Sequence, residues 1–338
     1  MKNKIKNIVI LGSTGSVGTQ ALEIVRQNKD AFKVIGLSCH KNINLLKKQV
    51  KEFGVKDFSI TGSEKDLIKL AILKKADLII NALVGEIGVA PTLAAIHAKK
   101  NIAIANKEAI LCIGKKLVKE AKKYKVNLIP VDSEHTGIFQ ILKTNPGRKI
   151  KKIILTCSGG PFYKTSTTKL KNIKLNKVFA HPTWKMGEKV TIDSATLMNK
   201  GFEVIECGIL HGVDEKQVEV LYHPQGILHC AVEFEDGRFC ASISQPDMKL
   251  PIAYVMNYPF PPKLKSKIPN TKNLILEEIV DKFGLIKLCR SAAKSEKLTK
   301  KLCRIDEIGT QKFLDGKLNF LGLIKFIKDE YSNNTRGR

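Results

Sequence analysis

A short apolar run at residues 7–11 empties into the glycine-rich G-S-T-G-S-V-G at 12–18, and an amphipathic pattern follows over 19–28. No other stretch narrows the fold so far. A buried strand, a glycine turn and a helix in that order open a nucleotide-binding βαβ unit. Glycines let the backbone approach a pyrophosphate, and the helix N-terminus offers N–H donors to it. The loop at 12–18 is therefore a candidate cofactor site. The spacing G-x-x-G-x-x-G is not the commonest form, and a tight strand–helix turn without a ligand fits it too. The leading M-K-N-K resembles a signal peptide. Its apolar part is short and runs straight into the glycine loop, so it reads as a first strand.

The rhythm continues. Strands are expected at 33–38, 57–61, 77–83, 101–105 and 127–131, with helices over 43–53, 64–74 and 89–99 between them. That alternation predicts a Rossmann-like, doubly wound parallel sheet. The second strand ends in Cys39-His40-Lys41-Asn42, where a free ribose 2′-hydroxyl would want an acid. A cation there suits a 2′-phosphate, which favours NADP over NAD, although a surface lysine in a lysine-rich chain reads the same. Glycines at 85–88 and Asn106-Lys107-Glu108 fall at strand C-termini, the edge where open α/β sheets bind ligands.

Asp132 and Glu134 flank Ser133 at a strand-to-helix junction. Carboxylates so close repel unless a cation lies between them, and hard oxygen donors favour Mg²⁺ or Mn²⁺ over zinc. An N-cap before a helix at 136–143 accounts for the same residues. A boundary at 145–152 precedes a strand at 153–156 and then Ser158-Gly159-Gly160, whose backbone amides can meet a phosphate. The polar stretch 164–177 leads to His181, Trp184, Met186 and Gly187 and reads as a lid, or as a loop anchored by its tryptophan. In the stretch 191–203, Ser194, Asn199, Lys200 and Glu203 can hold a phosphate and a metal ion side by side. A helix over 199–210 puts Glu203 and Glu206 on one face. A strand at 218–223 and a hairpin of 231–234 with 239–243, turning at Asp236-Gly237, predict a second, mixed sheet. Residues 259–273 read as a linker, 277–328 as helical, and 331–338 as a disordered tail.

The net charge of +26 invites a nucleic-acid reading, but the excess is lysine spread along the chain with arginine scarce. Nucleic-acid readers cluster arginine and aromatics, so attraction of anionic substrates is the better account. The eight cysteines form no C-x-x-C pair and fit reduced thiols. No apolar run approaches a membrane helix. Together these predict a cytoplasmic protein that binds neither nucleic acid nor membrane.

Seven motifs then stand in a specific order: G-S-T-G-S-V-G-T-Q, A-N-K-E-A, P-V-D-S-E-H, S-G-G-P-F, H-P-T-W-K-M-G, T-I-D-S-A-T-L-M-N-K-G-F-E and H-P-Q-G-I-L-H. Over about 5–258 the chain resembles the 1-deoxy-D-xylulose-5-phosphate reductoisomerase family, more weakly at 40–80 and most weakly after 260. The resemblance implies an NADPH-binding domain at 1–144, a catalytic α/β domain at 145–262, a linker at 263–276 and an abridged helical domain at 277–330 before the tail. It implies a homodimer that converts 1-deoxy-D-xylulose 5-phosphate to 2-C-methyl-D-erythritol 4-phosphate, the committed step of the non-mevalonate isoprenoid route. Asp132, Glu134 and Glu203 would bind Mg²⁺ or Mn²⁺, with Glu206 assisting. Lys107, Glu134 and His181 would be catalytic. Ser158, His181, Ser194, Asn199 and Lys200 would hold the phosphate end, and Lys107 and Ser133 the hydroxyls. Thr14, Gly15, Ser16, Val17, His40, Lys41, Asn42, Asn106, Glu108 and Gly187 would line NADPH, and Trp184 and Met186 would belong to the lid. The chain departs from the family at His40, at Glu86, at 303–307 and in the length of the helical domain. A dehydrogenase of another sugar phosphate and a non-catalytic NADPH-binding homologue are the alternatives.

Overall fold

The computed structural model describes residues 5–333 except 172, 174, 181–183, 185, 263 and 265. The chain opens with β1 (Lys6–Leu11), α1 (Ser16–Gln27), β2 (Phe32–Ser38), α2 (Ile43–Phe53), β3 (Asp57–Ser59), α3 (Glu64–Ala71), β4 (Leu78–Asn81) and α4 (Val89–His97). It continues with β5 (Asn101–Ile104), α5 (Lys107–Ile113), α6 (Lys115–Lys123), β6 (Leu128–Pro130), α7 (Ser133–Thr144), β7 (Ile150–Cys157), α8 (Leu175–Val178), α9 (Glu188–Thr196) and α10 (Met198–Glu206). The rest is β8 (Val218–Tyr222), β9 (Leu228–Phe234), β10 (Phe239–Ile243), α11 (Lys249–Asn257), β11 (Glu277–Glu278), α12 (Leu285–Ala293), α13 (Glu296–Leu314) and α14 (Phe320–Asn333).

Two compact units result, one of residues 1–139 and 247–266, the other of 140–246 and 267–338. The partition differs from the domain limits expected above, because 247–262 folds with the first unit. There α11 packs against α1 and buries Ile252, Ala253, Val255 and Met256 in the same core as Ile8, Ile10, Leu22 and Leu37.

The first unit's sheet is all parallel, in the order β3-β2-β1-β4-β5-β6. This is the doubly wound arrangement, and its order reverses between β1 and β4. Ile8–Leu11 of β1 and Leu78–Ile80 of β4 lie deep in the core, which is why they are apolar runs rather than alternations.

The second unit's sheet has the order β10-β9-β7-β8-β11. It is mixed: β7 runs parallel to β8 and antiparallel to β9, and the β9–β10 hairpin turns through Gly237 at φ +82°. The segment expected to be wholly helical from 277 begins instead with β11, paired to β8 through Glu277↔Tyr222 and Glu278↔Leu221. Behind the sheet, Phe320 of α14 takes edge-on contacts from Phe162, Phe283 and Phe313 at centroid distances of 5.0, 5.7 and 6.4 Å. Such a cluster contributes packing energy beyond its buried area.

Candidate functional site

In the first unit, the glycine loop is fixed by a buried polar network. Ser13 Oγ donates to Gln49 Oε1 (2.7 Å), Gln49 Nε2 donates to Ser13 O (3.0 Å), and Gly12 N donates to Ser38 Oγ (3.0 Å). A Cβ at Gly12 would sit 2.5 Å from Ala82 O, and one at Gly18 would lie 2.6 Å from Ser13 Cα. Those two glycines are demanded by packing. Gly15 is exposed, with no atom nearer than 3.4 Å to a Cβ built there, so it is the open face of the loop. The helix α1 starts at Ser16, three residues before the expected start, and has neither a side-chain cap nor an acid in its first turn. A helix N-terminus with its positive dipole end suits an anion. Thr14, Ser16 and Val17 stand half-buried around that end. This backbone cradle fits a nucleotide pyrophosphate.

At the end of β2, His40, Lys41 and Asn42 are exposed. Asn42 also has a local duty, since its Oδ1 accepts from Leu45 N (3.1 Å) and caps α2. Asn106 and Glu108, expected at the cofactor, are almost fully buried. Asn106 Nδ2 donates to Leu83 O (2.9 Å), Gly85 O (3.1 Å) and Glu108 Oε2 (3.0 Å), and its Oδ1 caps α5 by accepting from Ala109 N (2.8 Å). Asn106 thus clamps the loop after β4, and its side chain acts on loop shape.

The acid junction caps a helix, as its N-cap reading expected. Asp132 Oδ1 accepts from Glu134 N (3.0 Å) and His135 N (3.2 Å), the N-cap of α7, which begins at Ser133. Asp132 Oδ2 takes the Lys107 ammonium at 2.8 Å, and both side chains are largely shielded from water. Ser133 Oγ hydrogen-bonds the Glu134 carboxylate. Lys107, Asp132, Ser133 and Glu134 therefore form one contiguous polar group at the C-terminal ends of β5 and β6.

In the second unit, the stretch 191–203 is two helices broken at Leu197, which takes φ +67° between α9 and α10. Ser158, Gly159 and Gly160, after β7, share a small recess with Ser194, Asn199 and Lys200 at that break. Gly160 is pressed onto α9: a Cβ there would lie 2.6 Å from Ser194 O. Asn199 Nδ2 donates to Glu203 Oε1 (2.6 Å), and Lys200 Nζ pairs with Glu203 Oε2 (2.5 Å). Asn199 Oδ1 is buried without a hydrogen-bond partner, an acceptor that a ligand hydroxyl would satisfy. Glu203 and Glu206 are each 1% exposed, so the acid pair is not a solvated face. Their charges, after desolvation as the larger cause, push the buried Cys207 thiol well above its ordinary pKa.

Hard oxygen donors of this kind suit Mg²⁺ or Mn²⁺. His181 lies outside the described residues. Trp184 has its ring 6.1 Å from that of His229, and Gly187 starts α9 with its carbonyl accepting from Thr191 N (3.0 Å). All eight cysteines are free. Among the described residues no helix is long and apolar enough to cross a membrane.

Sequence reading missed the buried triad of Lys189 with Asp193 (2.7 Å) and Asp306 (2.6 Å). The signal was present in part. Lys189 and Asp193 stand four apart, the helical ion-pair spacing, but nothing local points to a partner 117 positions away.

Family models match in three regions. "1-Deoxy-D-xylulose 5-phosphate reductoisomerase" covers 8–65 and 57–114, its "C-terminal domain" 128–211, and "DXP reductoisomerase C-terminal domain" 243–337. The last match carries the likeness through the region where the sequence resemblance was weakest. A 1-deoxy-D-xylulose 5-phosphate reductoisomerase of Thermodesulfovibrio yellowstonii is 40% identical, over 96% of this chain and 91% of its own length. The enzyme of that name from Agathobacter rectalis is 39% identical, over 96% and 92%. Among solved structures, a DOX-P reductoisomerase in complex with NADPH, fosmidomycin and magnesium superposes with TM-score 0.86 at 32% identity, covering 98% of this chain and 90% of that one. The Zymomonas mobilis reductoisomerase in complex with NADPH gives TM-score 0.83 at 28% identity, over 98% and 92%.

Proposed function

The chain belongs to the 1-deoxy-D-xylulose 5-phosphate reductoisomerase family, and on that premise we propose how its residues serve the reaction. It converts 1-deoxy-D-xylulose 5-phosphate to 2-C-methyl-D-erythritol 4-phosphate, using NADPH and a divalent metal ion, in isoprenoid precursor synthesis. The observation that carries the site assignment is within one helix pair. A glycine- and hydroxyl-lined recess with a lysine lies one helical turn from the buried acid Glu203. That is the pairing a phosphorylated, metal-chelating substrate needs.

Asp132, Glu134 and Glu203 hold Mg²⁺ or Mn²⁺, and Glu206 lies one turn beyond Glu203. When bound, the ion polarises the substrate carbonyl as a Lewis acid and the dihydronicotinamide supplies hydride. The chain's own groups do the rest. Ser158, His181, Ser194, Asn199 and Lys200 hold the phosphate, which takes no part in the chemistry. Its binding energy orders the segment carrying Trp184 and Met186 and excludes water. Lys107 and Ser133 meet the hydroxyls. The Lys107 ammonium, beside Asp132, neutralises charge that develops on a substrate oxygen as the carbon skeleton rearranges. Thr14, Gly15, Ser16, Val17, His40, Lys41, Asn42 and Gly187 line the cofactor, while Asn106 and Glu108 shape the loop beside it.

A cytoplasmic location and a homodimer belong to the same proposal. Free cysteines support the location, and light scattering on the purified chain tests the dimer. The decisive experiment is turnover with Mg²⁺, NADPH and 1-deoxy-D-xylulose 5-phosphate, with the product identified by NMR. A branched-chain tetritol phosphate is expected. Reduction without skeletal rearrangement would move the chain to a plain sugar-phosphate dehydrogenase, and no NADPH oxidation would reject the reading.

A further inference from the structure

Lys189 is buried to 9% exposure, and its ammonium meets three helices. On its own helix α9 it pairs with Asp193 at 2.7 Å, from α13 it takes Asp306 at 2.6 Å, and it lies 5.5 Å from the centroid of the Phe202 ring on α10. Asp193 and Asp306 are 2% and 1% exposed. None of these three charged groups belongs to the phosphate recess. Yet Asp193 immediately precedes Ser194, and Phe202 immediately precedes Glu203.

We propose that Lys189, clasped by Asp193 and Asp306, is the positioning hub of the substrate-phosphate site. The proposal rests on the reading that Ser194, Asn199, Lys200 and Glu203 meet the substrate and its ion. Apolar packing would hold α9, α10 and α13 together without fixing their rotation. A desolvated ammonium shared by two carboxylates is directional, and register is the best-attested use of such buried charge. The contact of Gly160 with Ser194 O passes any shift of α9 to the glycine loop. On the other face of α10, Gly201 packs so closely on α12 that a Cβ would meet Cys289 Sγ at 2.5 Å. The C-terminal helices thus fix α10 by shape and α9 by charge. Lys189, Asp193 and Asp306 are positioning residues, acting through the recess rather than on substrate.

The test uses the full chain with Asp306→Leu and Asp306→Asn. Leucine fills the volume and leaves Lys189 paired with Asp193, so the ammonium keeps one counter-charge. Asparagine keeps an oxygen acceptor in place. Affinity for inorganic phosphate, by titration calorimetry, is expected to fall about 10- to 100-fold in Asp306→Leu, the range for outer-shell partners and ~1 Å misplacement. Affinity in Asp306→Asn should stay within about 3-fold, and the KM for NADPH should be unmoved in both. A normally folded Asp306→Leu with unchanged phosphate affinity overturns the proposal, as does loss of NADPH affinity in step with phosphate. If Asp306→Leu does not fold, hydrogen exchange on Asp306→Ala decides, since alanine removes the acceptor that asparagine keeps. Acceleration confined to 188–206 supports the hub, and uniform or unchanged exchange overturns it. A wild-type chain that binds no phosphate would instead fail the recess assignment, while the exchange pattern would still report on the hub.

Discussion

The glycine loop after β1 and the helix pair α9–α10 are built by opposite means. The loop uses backbone: no lysine or arginine stands in 12–18, and its side chains Ser13 and, from outside, Ser38 and Gln49 only hold its shape. The helix pair uses charge, with Lys189, Asp193, Lys200, Glu203, Glu206 and Asp306 all buried within it or against it. A backbone site fails by strain when a side chain is added. A charged site fails when one member of a pair is lost and the other stays buried without its counter-charge. The two regions therefore carry distinct vulnerabilities in one chain.

Substitutions that separate the two failures sharpen the comparison. The largest effect is expected for Lys200→Met, which removes the ammonium from the buried Glu203 carboxylate. Breaking such a pair costs about 3–5 kcal/mol, to be read by chemical denaturation, with turnover lost. Next is Gly18→Ala. Its Cβ would run into the Gly12 carbonyl and Ser13 backbone, and backbone strain of about 1–3 kcal/mol should weaken NADPH in a fluorescence titration while leaving phosphate affinity untouched. Gly15→Ala, with space around it, should keep stability within about 0.5 kcal/mol. Lys41→Gln acts on cofactor affinity rather than on stability. At an exposed site, loss of a charge-assisted contact of about 1.5 kcal/mol should weaken NADPH roughly 10-fold and leave NADH unchanged. The smallest expected signal is at Cys207: burial raises its pKa well above the ordinary value, so at neutral pH the thiol stays protonated. Mass spectrometry after alkylation of the native protein should find Cys207 unmodified.

The same contrast explains what the sequence made legible. The first sheet could be read in order because each buried parallel strand is a local apolar run followed by a local turn signal. The bounds of α2 were legible to the residue, since Asn42 caps its start and Gly54, at φ +62°, ends it. The start of α1 was misplaced because a glycine-rich stretch reads as loop even where, as at Ser16–Gly18, it is already helix. The helix α9 went unread: its Thr- and Ser-rich sequence has weak helical propensity, and tertiary burial against the C-terminal helices holds it. Site residues were legible by chemistry, but their states were not. Nothing local says that Asn106 is buried as a loop clamp, that Asp132 is both cap and ion-pair partner, or that Glu206 is enclosed. Such facts depend on packing between distant segments, as does the Lys189–Asp306 pair.

The central proposal is that Asp132, Glu134 and Glu203 serve one divalent ion. Titration with Mn²⁺, following the free-ion EPR signal, tests it on the wild-type chain beside Asp132→Asn and Glu203→Gln. One tight site per chain is expected in the wild type, lost in each single variant. Full Mn²⁺ affinity in either variant would contradict the shared site.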